Sequence, residues 1–112
     1  MSSQTKHLSR DDFDTEARGA GTVSVVDFWA PWCGPCQALG PAIDDVAERV
    51  DGEATVAKVN VDENPDLATT YGVASIPTLI FFRDGEVVDR WVGGTTADAI
   101  ESRLRELRSE AA

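Results

Sequence analysis

Two cysteines, one histidine and two lysines are all that this 112-residue chain has of those residue types. Each shortage excludes something. Two cysteines cannot staple a small secreted fold, and a chain of this length buries a core without staples. A structural zinc site needs four ligands, and Cys33, Cys36 and His7 leave it short unless carboxylates join, so no metal is expected. Lys6 and Lys58 are the only lysines; eight arginines complete the ten basic residues, against 20 acidic ones, for a net charge of -10. Phosphate backbones and anionic membrane surfaces call for basic patches, so neither nucleic acid nor membrane is an expected partner. No run of about 18 apolar residues exists to span a bilayer. The first residues, Met1 to His7, lack the basic-then-apolar pattern of a secretory signal. A cytoplasmic, thiol-reducing location is the expectation.

There is also no internal repeat, low-complexity tract or linker. Residues 1–112 are expected to form one domain, monomeric by default, with residues 1–6 a candidate flexible lead. Hydrophobic residues at 42% and charged residues at 27% fit a soluble globular class. The acidic excess has two readings. One is an ordinary acidic protein kept soluble by its charge. The sharper one is a high-salt cytoplasm, where a Debye length of about 3 Å at 1 M screens the carboxylates from one another.

What is present alternates between helix and strand. Ser9 before Arg10-Asp11-Asp12 is a cap-like start for a short helix carrying Phe13 and Ala17. Val23 to Trp29 is apolar and β-branched, the pattern of a central strand covered on both faces. A long helix begins at or just after Cys33, with Leu39, Ile43, Val46, Ala47 and Val50 on one stripe, a kink expected at Pro41 and a stop at Asp51-Gly52. Ala54 to Val61 reads as a strand. Asn64-Pro65 reads as a cap and first position of a short helix that Gly72 ends. Thr78–Phe82 and Val87–Val92 flank Asp84-Gly85, a tight hairpin signal. Thr95 or Thr96 caps a last helix whose Ala97, Ile100, Leu104 and Leu107 face inward. Residues from Lys6 to Leu8 are a candidate edge strand. The class is α/β with parallel pairing plus a hairpin.

The chemistry lies in Trp32-Cys33-Gly34-Pro35-Cys36. A disulfide across so short a loop contributes only about 2 kcal/mol of chain-entropy stabilisation, which favours a reversible redox pair over a crosslink. Directly after a strand and opening a helix, Cys33 meets free N–H groups and the positive dipole end, which favour its thiolate. It would attack a target disulfide; Cys36, a turn on and deeper, would resolve the mixed disulfide. Pro35 suits the first helical turn, and Gly34 leaves room for a substrate chain. Asp27 sits within the apolar run. Buried, it would lose hydration, hold a proton near neutral pH and exchange it with Cys36; turned outward at a strand end, it would do nothing. Lys58, from a neighbouring strand, is either its partner or a solvated lysine. Pro77 precedes a strand, and on base frequency its Ile76–Pro77 bond is trans, since only about 5–6% of such bonds are cis.

Asp27-Phe28-Trp29-Ala30-Pro31-Trp32-Cys33-Gly34-Pro35-Cys36 resembles the active-site signature of thioredoxins, and Lys58–Asp62, Tyr71–Val73, Ile76–Leu79, Asp84-Gly85 and Val92-Gly93 are similar too. The resemblance implies a thioredoxin fold: a central mixed five-stranded sheet flanked by four helices. It implies a cis Pro77 against the cysteine pair, a client backbone pairing with Ile76, and a substrate surface bordered by Trp32, Ile76, Gly93 and Ala74 or Ser75. Trp29 would support the motif from beneath. The implied activity is reduction of protein disulfides, with a thioredoxin reductase supplying electrons and no bound cofactor, because the dithiol carries both electrons. An oxidising or isomerising role, and a non-catalytic interaction module, are the alternatives. Two positions depart from the family pattern: Gln37, where many relatives are basic, and Trp91, where relatives are often polar.

The charge excess generates a measurement. The thermal midpoint is expected to rise between low-salt buffer and molar KCl; a midpoint indifferent to salt would remove the high-salt reading.

Overall fold

A computed structural model describes residues 4–110. The strands are β1 (Lys6–His7), β2 (Val23–Trp29), β3 (Thr55–Asn60), β4 (Thr78–Arg83) and β5 (Glu86–Val92). The helices are α1 (Phe13–Ala17), α2 (Gly34–Arg49), α3 (Pro65–Thr70) and α4 (Ala97–Glu110). The strands form one sheet in the order β1-β3-β2-β4-β5. β3 lies parallel to β1 and β2, while β4 is antiparallel to both β2 and β5.

β2 has a strand on each edge and a helical layer on each face. Because successive side chains alternate between faces, Val23 and Val25 join α2 and α4 through Leu39, Ile43, Ile100 and Leu104. Val26 and Phe28 point the other way, toward Phe13, Leu67 and Phe82. Double coverage explains why the β2 run is almost wholly apolar.

The hairpin turn has positive φ at both central residues, 52° at Asp84 and 85° at Gly85. That is the primed geometry that matches strand twist, and it is why Asp-Gly stands there. The Asp84 carboxylate also accepts from the Gly21 N–H at 2.6 Å, tying the turn to the start of β2. A Cβ on Gly85 would meet the Arg18 carbonyl oxygen at 3.0 Å.

Several expectations need adjustment. Within the candidate flexible lead, residues 1–6, the last positions make contacts with the fold. Thr5 is buried and its hydroxyl donates to Asp44 at 2.7 Å, while Lys6 pairs with Ala57 in β1. Residues 1–3 lie outside the described residues. α1 starts at Phe13, and the Ser9 N–H donates to Asp12 Oδ1 at 2.8 Å rather than Ser9 capping the helix through its hydroxyl. Asn64 makes no side-chain cap; its amide donates instead to the Asn60 carbonyl at 3.1 Å. As expected, Pro41 lies inside α2, where it has no N–H to give the Gln37 carbonyl. The Ile76–Pro77 bond is cis, so the frequency argument for trans fails here. Thr96, of the two candidates, caps α4: its hydroxyl accepts from the Ala99 N–H at 3.2 Å.

Gly85→Ala is expected to cost about 1–2 kcal/mol from the left-handed backbone alone, plus the clash with Arg18. Gly52→Ala shares the positive φ but meets nothing within 4 Å. Urea denaturation should therefore rank Gly85→Ala as the more damaging; equal losses would contradict the contact.

Candidate functional site

β2 ends at Trp29, and five residues later α2 begins. Cys33 occupies the cap position between them, with extended φ and ψ of -87° and 110°. Its carbonyl accepts the first helical bond, from the Gln37 N–H at 3.1 Å. Its sulfur accepts from the Cys36 N–H at 3.2 Å. This is the arrangement of an N-cap side chain, with sulfur where a hydroxyl or carboxylate usually stands. Pro35 falls within the first helical turn, where its missing N–H costs nothing.

Cys33 and Cys36 are joined as a disulfide, their Cα atoms 5.2 Å apart. Cys33 is 6% exposed and Cys36 1%, so Cys33 is the more accessible residue of the pair. Both pack with Ala30, and Trp29, Val61 and Ile76 close around them. The Cys33 sulfur lies 3.8 Å from the Ile76 carbonyl oxygen. Next to it, the Pro77 carbonyl accepts from the Gly93 N–H at 2.9 Å, which brings the end of β5 to the pair; Gly93 has φ of 95°. Trp32 stands out from the surface, 70% exposed, and its indole N–H donates to Asp62 at 2.8 Å. A groove of about 340 Å³ runs beside it, lined by Val61, Val73, Ala74, Ser75 and Ile76 among others. Gln37 is exposed, and its amide donates to the Pro31 carbonyl.

Asp27 is fully buried on the sheet face that α2 covers, the face of Val23 and Val25. Among the described residues neither carboxylate oxygen has a hydrogen-bond partner. Burial raises its pKa to about 7, and the Lys58 charge pulls the other way. Lys58 is the register partner of Asp27 on β3. Its ammonium nevertheless lies over the Trp29 ring, 4.2 Å from the centroid.

Trp91 packs its ring on Phe81, centroids 4.7 Å apart, and donates to Asp89 at 3.1 Å. It is edge packing. Sequence reasoning gave no role to Asp62, although the residue lies within a stretch similar to the family. The missing signal was spatial: thirty positions separate it from Trp32. Among the described residues no group of His, Cys, Asp and Glu is placed to hold a metal.

The sequence matches the Thioredoxin family profile over residues 4–106. The chain belongs to the thioredoxin family. It is similar to thioredoxin 2 of Chlorobaculum tepidum, with 43% identity covering 95% of this chain and 97% of that one. Thioredoxin 1 of Nostoc is 40% identical, over 91% and 95%. Among solved structures, a single-site mutant of the thioredoxin from Halobacterium salinarum superposes with a TM-score of 0.84 at 37% identity, covering 96% and 95%. Malassezia sympodialis thioredoxin gives 0.82 at 30%, covering 93% and 90%. The chain is thus a protein-disulfide oxidoreductase with a redox pair at Cys33 and Cys36; its substrates are disulfide-bearing proteins, and reductases are its general partners.

Asp27 is buried without a charged partner in contact, and that should be visible in stability. A carboxyl that ionises near 3.8 unfolded and about 7 folded leaves the folded state holding the extra proton between those values. Stability therefore falls as pH rises through that window, and the full penalty is present above it. The penalty integrates to roughly 4 kcal/mol. Asp27→Ala removes it, so the variant should gain on wild type by about that much between pH 4 and pH 8, read by denaturant unfolding. A difference independent of pH would show that Asp27 titrates normally.

Proposed function

We propose that this thioredoxin runs in the reducing direction, with Cys33 as nucleophile, Cys36 as resolving thiol and Asp27 as proton carrier. The observation that carries the cysteine roles is the Cys33 sulfur capping α2 on the more accessible residue of the pair; the direction rests on Gly34-Pro35 between the cysteines, which resembles the reducing branch of the family. A helix N-terminus with a backbone N–H aimed at sulfur favours the thiolate.

In the reduced protein, the Cys33 thiolate attacks one sulfur of a client disulfide. A mixed disulfide forms and the client's other sulfur leaves as thiolate. Cys36 then gives up its proton and attacks the Cys33 sulfur; the internal disulfide closes and the second client thiol departs. Two electrons have passed to the client, and a reductase restores them. Cys36 is too deep to release its proton directly to solvent. An unpartnered carboxyl on the same face, with pKa near neutral, can take it, through water if needed. Lys58 modulates that carboxyl by its charge. Trp32, Gly34, Pro35, Ile76, Pro77 and Gly93 form the client groove, and exposed Val92 at 64% extends its apolar border. An incoming peptide pairs with the backbone at Ile76 in strand fashion.

A single domain, a monomeric state, a cytoplasmic location and no membrane or nucleic-acid partner complete the reading. Among the described residues no helix is long and apolar enough to cross a membrane. The -10 charge supports work at high salt.

The roles separate by trapping. Cys36→Ser should accumulate a mixed disulfide with a client, while Cys33→Ser should form none and reduce insulin no faster than the uncatalysed mixture. In wild type the alkylation rate of Cys33 should inflect below the free-cysteine value of about 8.5. Capture by Cys33→Ser, or an inflection no lower than free cysteine, would overturn the assignment.

A further inference from the structure

Asp27 and Trp29 are two positions apart on β2 and so share a face of the sheet. Lys58, paired with Asp27 from the neighbouring β3, projects from that same face. Its long stem starts one strand spacing away, about 4.8 Å, and can bring the ammonium to either neighbour. Attraction between full charges at low dielectric exceeds attraction to an aromatic face. The carboxylate should therefore win. It does not: the ammonium sits on the Trp29 ring, and among the described residues both Asp27 oxygens are without a hydrogen-bond partner. The same ring forms one wall of the cysteine pocket.

We propose that Trp29 is a positioning residue whose ring holds the Lys58 ammonium off Asp27, leaving that carboxyl unpaired and free to take up and release a proton. The ring receives the cation on its face, so no proton is exchanged with it. Lys58 still lowers the proton affinity of Asp27 through space, without forming an ion pair that would fix the carboxylate in its charged form.

The other groups around Lys58 and Asp27 are few. His7 of β1 stands across from Lys58 on its far side. Glu63 and Asn60 share a small cavity of about 190 Å³ with Trp29, Lys58 and His7. α2 and its cap contribute the cysteines, and α2 contributes Asp44, which is bonded to Thr5. β4 places Leu79 opposite Asp27, and α4 faces inward with Ile100, Leu104 and Leu107.

The test is a carbon-13 NMR titration of the Asp27 carboxyl in the oxidised protein. Trp29→Leu should release the ammonium to Asp27 and lower the titration midpoint by about one pH unit, a tenfold loss of proton affinity. Trp29→Phe, which keeps an aromatic face, should retain most of the wild-type midpoint. In a Lys58→Met background Trp29→Leu should move nothing. An unchanged midpoint in Trp29→Leu, or an equal drop with and without Lys58, overturns the proposal. A second readout leaves Trp29 in place: the Lys58 ε-methylene protons of wild type should be shifted upfield by the ring current, and unshifted protons overturn the proposal as well. The inference rests on the reading of Asp27 as proton carrier. It is measured at rest without turnover, so its failure is distinguishable from failure of the cysteine assignments in trapping.

Discussion

Burial of β2 on both edges and both faces is the constraint from which the redox end follows. A strand held between β3 and β4 has its end fixed in space, and the chain that leaves it must turn at a defined place. α2 starts there, so Cys33 becomes the cap of a 16-residue helix rather than a loop cysteine. The same burial denies water to Asp27. Full burial of Val23, Val25, Val26 and Phe28 contributes about 6–12 kcal/mol by transfer arguments. The sheet can therefore carry one unpartnered carboxyl at a cost of roughly 4 kcal/mol near neutral pH. An edge strand could neither hold the acid dry nor fix the cysteine.

The arginines follow a different logic. Arg49 at the C-terminus of α2 meets Asp45, Asp98 and Glu101, and Arg105 and Arg108 share Glu53. These contacts join the far end of α2 to α4. Exposed pairs are worth about 0–1 kcal/mol each at ordinary salt, so they organise charge more than they hold the fold. At 1.5 Å per residue, α2 sets this network about 24 Å from Cys33. Seven of the eight arginines enter ion pairs, and Arg90 donates to the Tyr71 carbonyl. With twice as many acids as bases, carboxylates still remain in excess.

Elements set by local chemistry were legible in the sequence. The β2 run announced its double coverage through apolar, β-branched content. Asp84-Gly85 announced the primed turn, because few other residues accept positive φ there. The cysteine spacing and its place between strand and helix announced the cap. Choices between competing partners were not legible. Asn64 had a helix start within reach but bonded to Asn60 instead. Thr5 is held by Asp44, 39 positions away. Lys58 had a carboxylate opposite and took the ring. Each outcome depends on where a third group sits in space, which periodicity and spacing do not encode. The cis bond before Pro77 belongs with these: frequency argues against it, and only resemblance to a family implied it.

The cysteine pair and Asp27 answer a single difficulty on the proposed reading. A resolving thiol protected from solvent cannot be drained by stray oxidants, but protection also holds its proton in place, since desolvation disfavours the thiolate. The base that removes the proton must lie within the same dry region. Among the described residues Asp27 is the only fully buried ionisable side chain besides the cysteines themselves. In water it would be a poor base, ionised and weak at neutral pH. Burial moves its proton affinity toward that of the thiol it serves, so less free energy is lost in the transfer. Hydration withheld from one group thus creates the need for a base, and hydration withheld from the other supplies it. Trp29, set between the cysteines and Lys58, keeps that balance from collapsing into a permanent ion pair.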